Sequence, residues 1–395
     1  MIKENEKVLI LLLLLLTLSL SSLSLNVIAP SLISIVREFG VDVKFSPLVV
    51  TAFFFSYAFG QLFTGHLSDK IGRRGILIIG VFIYSLSSLM CGLSTSFYML
   101  IISRVIQGFS AGIGVTIYRS AVFDIYKGDT GHKLFSYLTA FFSLITILAP
   151  IIGGYFEKAM NWHFSFYFLS LFSLVLFIIL QFYFKETNNS KVGWNDFSIR
   201  LFIRDYYSTS KELFVSKPFI KNTISLTLIY SALLMLIATL PGVVKKSFPI
   251  YSDNLSTIYL FMVTGYMIGN ITNARLIGKI SNRAIHSAGH FIIIISSLII
   301  YFLDSNVRYA TLLLILLTLN IGIGAIFPKF MSEIVNLFPN KKGASAAVSG
   351  FIQCILSSLL VSIVSIWTNS SLTIFIFIMI LTIFSYLILI PKNKI

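Results

Sequence analysis

Apolar residues run through this chain in long unbroken blocks, with polar residues gathered in the gaps. Twelve blocks stand out, at about residues 8–36, 46–68, 75–95, 98–123, 134–156, 163–184, 219–244, 255–274, 287–304, 308–331, 344–367 and 371–390. A helix needs about 20 residues to cross the roughly 30 Å hydrocarbon core of a bilayer. Each block meets or approaches that length. The blocks are continuous rather than alternating, which predicts helices and excludes barrel strands. The first is longer than one crossing requires, so it is expected to tilt or to extend past one face. It is also too long for a cleaved leader and lacks a clear small-x-small cleavage site.

The longest polar stretch, Lys185–Lys221, divides the blocks into two sets of six. The expected organisation is an N-terminal six-helix bundle over 1–186, a cytoplasmic linker over 187–218 and a C-terminal six-helix bundle over 219–395. Within the linker, Trp194–Tyr207 mixes apolar and charged residues at near-helical spacing. That suits an amphipathic helix lying on a membrane surface, and it suits a solvated connector equally well.

Composition sharpens this reading. Of the 395 residues, 56% are hydrophobic and only 11% are charged, against about 25% charged in a soluble domain. A water-soluble globule of this size could not cover its surface. A cytosolic enzyme, a nucleic-acid-binding domain and a secreted disulfide scaffold are therefore excluded, and an all-α polytopic membrane protein remains. Cys91 and Cys354 sit inside apolar blocks, where a cysteine behaves as a small buried hydrophobe. The net charge of +15 has a topological meaning. If the spans alternate, 21 of the 30 lysines and arginines fall on the side of both termini and 6 on the other, with Arg104, Arg119 and Lys329 inside or at the ends of spans. That bias places both termini in the cytoplasm, where the cations face anionic lipid rather than nucleic acid. No phosphate-binding loop, metal spacing among the five histidines or nucleophile–base pair is legible. Neither a cofactor, a metal nor enzymatic activity is expected.

The two halves repeat weakly. Gly65–Arg74 follows the second span and Ala274–Arg283 follows the eighth, 209 residues later. Leu67, Lys70, Ile71 and Arg74 recur as Leu276, Lys279, Ile280 and Arg283. In spans four and ten, Ile113-Gly114 matches Ile323-Gly324, and Arg119 matches Lys329, at a shift of 210. Two parallel six-helix bundles fit this pattern.

Three segments carry chemistry. Gly65 and Gly72 permit close helix contact and positive backbone dihedrals at a tight turn. Asp69 lies among cations there, so it can pair with Arg73 and accept from a helix N-terminus. Arg74 reads mainly as a charge anchoring the same face. Arg104 lies about six residues into the fourth span, at a depth where an arginine faces a polar cavity or partner, or snorkels to the interface. Gln107 and Gly108 follow it. Pro150 with Gly153 and Gly154 puts a weak point in the fifth span.

Gly65–Arg74 resembles the loop signature G-x-L-[SA]-D-[RK]-x-G-R-[RK] of the major facilitator superfamily. Arg104-Val-Ile-Gln107-Gly108 resembles its R-x-x-Q-G signature. Ala149-Pro150-Ile-Ile-Gly153-Gly154 is similar to the [GA]-P-x-x-G-G pattern of its antiporter branch. Asn161-Trp162, Glu186-Thr187 and Phe123-Asp124-Ile125-Tyr126 add likeness to the drug-resistance antiporters of the Bcr/CflA and EmrD type. The resemblance implies that Asp69 meets the start of span eleven near Gly343-Ala344-Ser345-Ala346, and that Asp124 pairs with Arg73. These links would latch the bundles on the inner side. A hinge at Pro150, with tight contact to span eight, fits an exporter of this kind. Arg119 and Lys329, near the inner ends of spans four and ten, each suit an inner-gate cation, a substrate-facing cation or plain anchoring at the inner interface.

The resemblance also implies a cavity of mostly apolar and aromatic character, with Asn26, Tyr57, Phe141, Tyr230, Tyr266, Asn320 and Gln353 among its lining. No acid falls at mid-membrane: Asp69, Asp124 and Glu333 lie near inner ends, Glu157 and Asp304 near outer ends. The expected function is proton-coupled export of amphipathic drugs or other small organic molecules from a bacterial cytoplasmic membrane, by a monomer driven by the proton gradient. A dedicated metabolite or siderophore exporter is the alternative within transport, and a membrane sensor or scaffold the alternative outside it. Small-molecule substrate, protons and membrane lipids are the expected partners.

Overall fold

The computed structural model describes residues 4–188, 198–248, 250, 255–303, 307–367 and 373–389. Trp194 and Asp304 lie outside the described residues. Among those described, fourteen α-helices form and no β-strand does. They are α1 (Glu4–Asn26), α2 (Leu32–Glu38), α3 (Ser46–Ile71), α4 (Arg73–Gly92), α5 (Phe97–Ile125), α6 (Gly128–Ala159), α7 (Trp162–Tyr183), α8 (Ile199–Val215), α9 (Lys217–Ser247), α10 (Leu255–Leu276), α11 (Asn282–Leu303), α12 (Tyr309–Asn336), α13 (Lys342–Trp367) and α14 (Thr373–Leu389). Among the described residues, ten helical stretches are long and apolar enough to cross a membrane. The 22-residue α10 and the 17-residue α14 occupy the places of two further expected spans.

Local chemistry explains the boundaries. The first apolar block is two helices rather than one long one. Pro30 has no N–H to donate to the Asn26 carbonyl four residues back, so α1 stops at Asn26 and a short 3-10 turn over Ala29–Ser31 leads into α2. Ser96 accepts from the Met99 amide to start α5, and Asn161 accepts from the His163 amide to start α7. Both satisfy a backbone donor that a helix start leaves free. Proline stands in the first turns of α3 and α9, where its missing N–H removes no helical bond.

The chain forms two compact units. One comprises residues 1–126, 144–212 and 338–351; the other comprises 127–143, 213–337 and 352–395. The bundle limits expected from sequence, 1–186 and 219–395, do not have this form. The first half of α6 packs with the second unit, and the start of α13 packs with the first. Two hydrogen bonds show what holds the start of α6: Asn273 Nδ2 donates to Ser136 Oγ at 3.0 Å, and His132 Nδ1 meets Ser332 Oγ at 2.5 Å.

Inside the first unit, α3 packs on α5, α4 packs on α5 and α7, and α1 packs on α5 and α7. The second unit repeats this arrangement: α10 on α12, α11 on α12 and α14, and α9 on α12 and α14. Glycines set the tightest of these contacts. A Cβ on Gly60 would collide with the Phe109 carbonyl, and one on Gly112 with the Tyr57 carbonyl. In the second unit, Gly269 and Gly324 meet the Ile321 and Tyr266 carbonyls in the same way. Small residues let backbones approach where lipid supplies no hydrophobic drive for helix association.

These matched contacts fix the internal register. The offset is 209 residues between α3 and α10, as the sequence indicates, but 212 between α5 and α12. The extra residues arise because α11 is two residues longer than α4, and the connection to α12 is one residue longer than that between α4 and α5. Gly112, not Gly114, is the counterpart of Gly324. Arg119 then falls opposite Met331, and Lys329 opposite Ile117. The two cations are not repeat-related.

Overpacking a tight contact costs about 1–3 kcal/mol. Gly60→Ala and Gly269→Ala should each lower the thermal midpoint of the purified protein in detergent. Gly75→Ala, where an added Cβ meets nothing within 4 Å, should leave it unchanged.

A buried charge clasp as the candidate functional site

The reversal between α3 and α4 is made by one residue. Gly72 has φ 103° and ψ 163°, a region that only glycine enters without strain. The turn brings Asp69, on the last turn of α3, beside Arg73, on the first turn of α4. The Arg73 side chain is 2% exposed. Its guanidinium donates to Asp124 Oδ2 from Nε at 2.5 Å, to Ser68 Oγ from Nη1 at 2.9 Å and to Asp69 Oδ1 from Nη2 at 2.9 Å. A planar fork can hold three acceptors at fixed angles, which a lysine cannot.

Asp69 reaches further. Its Oδ1 accepts from the Gly343 amide at 2.9 Å, and its Oδ2 from the Ala344 amide at 2.8 Å. These are first-turn donors of α13, which have no partner within their own helix and sit at the positive end of its dipole. Asp124, on the last turn of α5, also receives Lys342 Nζ at 3.1 Å. Lys342 Nζ donates to the Phe123 carbonyl at 2.5 Å as well. Two carboxylates therefore face two cations and a helix N-terminus in a setting where the four side chains are 2–12% exposed. Gly65 makes room for the contact, since a Cβ there would collide with the Gly343 carbonyl and Ala347.

A second set of contacts holds the turn from behind. Glu186 accepts from the Arg73 amide at 2.9 Å and from the Arg74 amide at 3.3 Å, capping α4. Asn188 Nδ2 donates to the Asp69 carbonyl at 2.9 Å. Arg74 points elsewhere: its Nε and Nη2 donate to the Phe184 and Gln181 carbonyls, both at 2.7 Å. It ties the end of α7 to α4 and takes no part in the Asp69 contacts. Sequence reasoning found Asp69, Arg73 and Asp124. It counted Lys342 only as a basic residue of the inner side, and used Glu186 only as a mark of likeness.

Arg104 forms a separate polar centre and is wholly buried, which excludes snorkelling. Its Nε donates to the Val49 carbonyl at 2.9 Å and its Nη1 to Gln107 Oε1 at 2.6 Å, while its guanidinium carbon lies 4.4 Å from the centre of the Phe53 ring. Gln107 Nε2 in turn donates to Ser88 Oγ at 2.7 Å. Gly108 lets α5 meet the Phe53 carbonyl of α3. Arg119 Nη1 donates to Gln61 Oε1 at 3.3 Å, and both groups lie where a Cβ on Gly350 would fall.

The expected weak point in the fifth span takes a different form. Pro150 lies within a continuous α6. Gly153 approaches the Val27 carbonyl just after α1, and Gly154 meets nothing within 4 Å. The close approach at Gly153 is thus to the end of the first span, while α6 meets the eighth span, α10, through Ser136 and Asn273. Of the expected cavity residues, Tyr230 and Tyr266 flank Phe327, with ring centroids at 6.0 and 6.3 Å. Tyr57 stacks on Phe53 at 6.1 Å, and Asn26 Nδ2 donates to the Ser22 carbonyl of its own helix at 2.8 Å. Asn320 and Gln353 are buried, while Phe141 is exposed.

Two helical units of matched architecture, with a carboxylate clasp at the end of one, define a class of membrane transporter. The pattern of the Major Facilitator Superfamily matches residues 14–362, and the chain belongs to that family. It is a multi-pass membrane transporter, not an enzyme. The chain is 32% identical to the "Bicyclomycin resistance protein homolog" of Haemophilus influenzae, over 41% of this chain and 41% of that one. It is 25% identical to "Multidrug resistance protein MdtM" of Escherichia coli, over 64% of this chain and 60% of that one. These matches span less than two thirds of either relative. The fold is similar to that of the human organic anion transporter MFSD10, with TM-score 0.79, 16% identity, and coverage of 98% of this chain and 100% of that one.

Removing one partner from a buried ion pair costs about 3–5 kcal/mol, whereas exposed pairs are worth about 0–1 kcal/mol. Arg73→Ala and Arg73→Lys should therefore destabilise the protein in detergent far more than Lys70→Ala. Hydrogen exchange supplies the local measurement: Asp69→Asn should raise exchange at Gly343 and Ala344 at least tenfold, with the middle of α5 unchanged.

Proposed function

We propose that the chain is a proton-coupled secondary exporter of amphipathic organic molecules, working by alternating access across a bacterial cytoplasmic membrane. The observation that carries this reading is the Asp69 bridge from the α3–α4 turn to the start of α13. Residues 342–351 of α13 belong to one compact unit and residues 352–367 to the other. A movement of the second unit must therefore drag the first turn of α13 or break its bonds to Asp69. The clasp acts as a latch on the cytoplasmic side, closed when the outer side is open. Its energy suits two states that differ by a few kcal/mol.

Export, rather than uptake, is supported by the relatives whose names denote drug resistance. The apolar, aromatic cavity with few polar groups that the family resemblance implies suits bulky amphipathic cargo. Protonation of Asp69 or Asp124 weakens the hold of Arg73, Lys342 and the helix end. Either carboxylate can thus convert proton binding into release of the latch, with the proton gradient supplying the energy.

The test is efflux from proteoliposomes loaded with an amphipathic dye under an imposed proton gradient. Asp69→Asn and Arg73→Ala should lower the dye-dependent proton flux at least tenfold, and Lys342→Ala should fall between these and the parent. Each protein must elute as a single species and keep its helical circular dichroism. Parental flux in both Asp69→Asn and Arg73→Ala overturns the latch, and dye flux indifferent to the gradient overturns the coupling.

A further inference from the structure

The helix α8 presents three parallel stripes. Ile203, Tyr207 and Phe214 form an exposed apolar stripe, with Ile203 61% and Tyr207 71% exposed. Arg200, Arg204 and Lys211 form an exposed basic stripe with the same i, i+4, i+11 spacing. At 100° per residue, the basic stripe lies about 60° round the helix from the apolar one. Asp205 and Glu212 form an acidic stripe farther round on the basic side. The inward side packs on the first unit: Tyr206 lies 4.2 Å from the His66 ring and 6.4 Å from Phe63.

The acidic stripe is engaged. Asp205 pairs with Lys70, and Glu212 with Lys341 at 2.5 Å. These two lysines are sequence neighbours of the clasp on its two sides: Lys70 follows Asp69, and Lys341 precedes Lys342. The hydrogen bond from Lys70 holds the Asp205 carboxyl below its ordinary range. Its contribution is therefore present above the usual carboxylate pKa and is lost only as the pH falls through the lowered one. The basic stripe, by contrast, makes no ion pair among the described residues.

Connectivity places α8 at the membrane edge. Only Ser216 separates it from α9, and its pairing to Lys70 fixes it to the last turn of α3. An apolar stripe flanked by cations at that level matches the boundary between acyl chains and anionic head groups.

We propose that α8 docks on the anionic lipids of the leaflet beside it and acts as a bracket across the two sides of the clasp. Docking holds Asp205 and Glu212 in place, so anionic lipid favours the latched state. The regulation rests on the latch reading given above; the docking itself does not.

The test uses the full chain in nanodiscs of phosphatidylcholine, alone or with one third phosphatidylglycerol, at one chain per disc. A bimane on Tyr207→Cys reports docking through quenching by brominated acyl chains. Three cations at an anionic leaflet should shift the docked-to-free ratio between about ten- and a hundredfold, so quenching rises with phosphatidylglycerol. The rise should vanish in Arg200→Gln/Arg204→Gln/Lys211→Gln and persist in Lys279→Gln/Arg283→Gln. Exchange at Gly343 and Ala344 should fall when phosphatidylglycerol is added to the parent, and not in the triple variant. Equal quenching in both lipids, or a rise that survives the triple variant, overturns docking. A rise found only with two chains per disc assigns the face to a second copy and also overturns it. Lipid-dependent quenching without a change in exchange at Gly343 overturns the bracket. Dye flux is read separately: docking in a chain that moves no dye counts against the exporter, and dye flux without docking counts against α8 alone.

Discussion

Asp69 accepts two amides at the start of α13 while sharing a guanidinium with Asp124. Without it the Gly343 and Ala344 amides and one arm of the Arg73 guanidinium lose the acceptor they share. The first turn of a helix offers amides that its own backbone cannot use, and burial makes leaving them unpaired expensive. A carboxylate answers both the missing acceptor and the positive dipole end. The charge count closes as well: Asp69 and Asp124 against Arg73 and Lys342. Each side chain is thus stable in its buried setting only while the others stay. That interdependence is what makes such a group open as a unit rather than fray.

Close approach is the second condition. The clasp reaches α13 because Gly65 and Gly343 carry no side chain between the two backbones. The same device sets α3 on α5 and α10 on α12. Glycine here does not loosen the helices; it lets carbonyls and helix surfaces meet at a distance where polar atoms can bridge. Arg104 shows the consequence deeper in the unit. Its guanidinium is held by carbonyls, an amide and a ring rather than by a carboxylate, so it fixes three helices without a paired acid.

Much of this was legible in the sequence. The apolar blocks gave the spans, and the spacing of Asp69, Gly72 and Arg73 gave the turn and its ion pair. The likeness to a known family pointed to Asp124 and to residues 343–346. What escaped had physical reasons. Lys342 and Glu186 are ordinary charges in polar loops, and nothing local marks which of many such charges will be buried. Two residues added to α11 and one to the connection after it moved the repeat from 209 to 212, so a match at 210 paired Arg119 with Lys329 wrongly. Pro30 ended the first helix inside what reads as one apolar block. The start of α6 falls in the second compact unit and the start of α13 in the first because long-range packing, not composition, decides where a helix end docks.

The second unit shows why the clasp acts from one side. Gly278 stands where Asp69 would fall, with φ 79°, and its nearest neighbour is Asp129 on the first turn of α6. A Cβ on Gly278 would lie 3.0 Å from Asp129 Oδ2. The acid has moved from the turn to the helix it would have capped. An acid on the first turn of its own helix still favours the dipole, but it makes no bridge to the neighbouring turn. Asp69 ties two elements through hydrogen bonds, whereas Asp129 acts on Lys329 of α12 only through its charge. The start of α6 is held instead by neutral pairs, Ser136 with Asn273 and His132 with Ser332. Hydroxyl and amide bonds carry no net charge for a proton to remove, whereas the Asp69 carboxylate does, so the two helix starts answer to different physical controls.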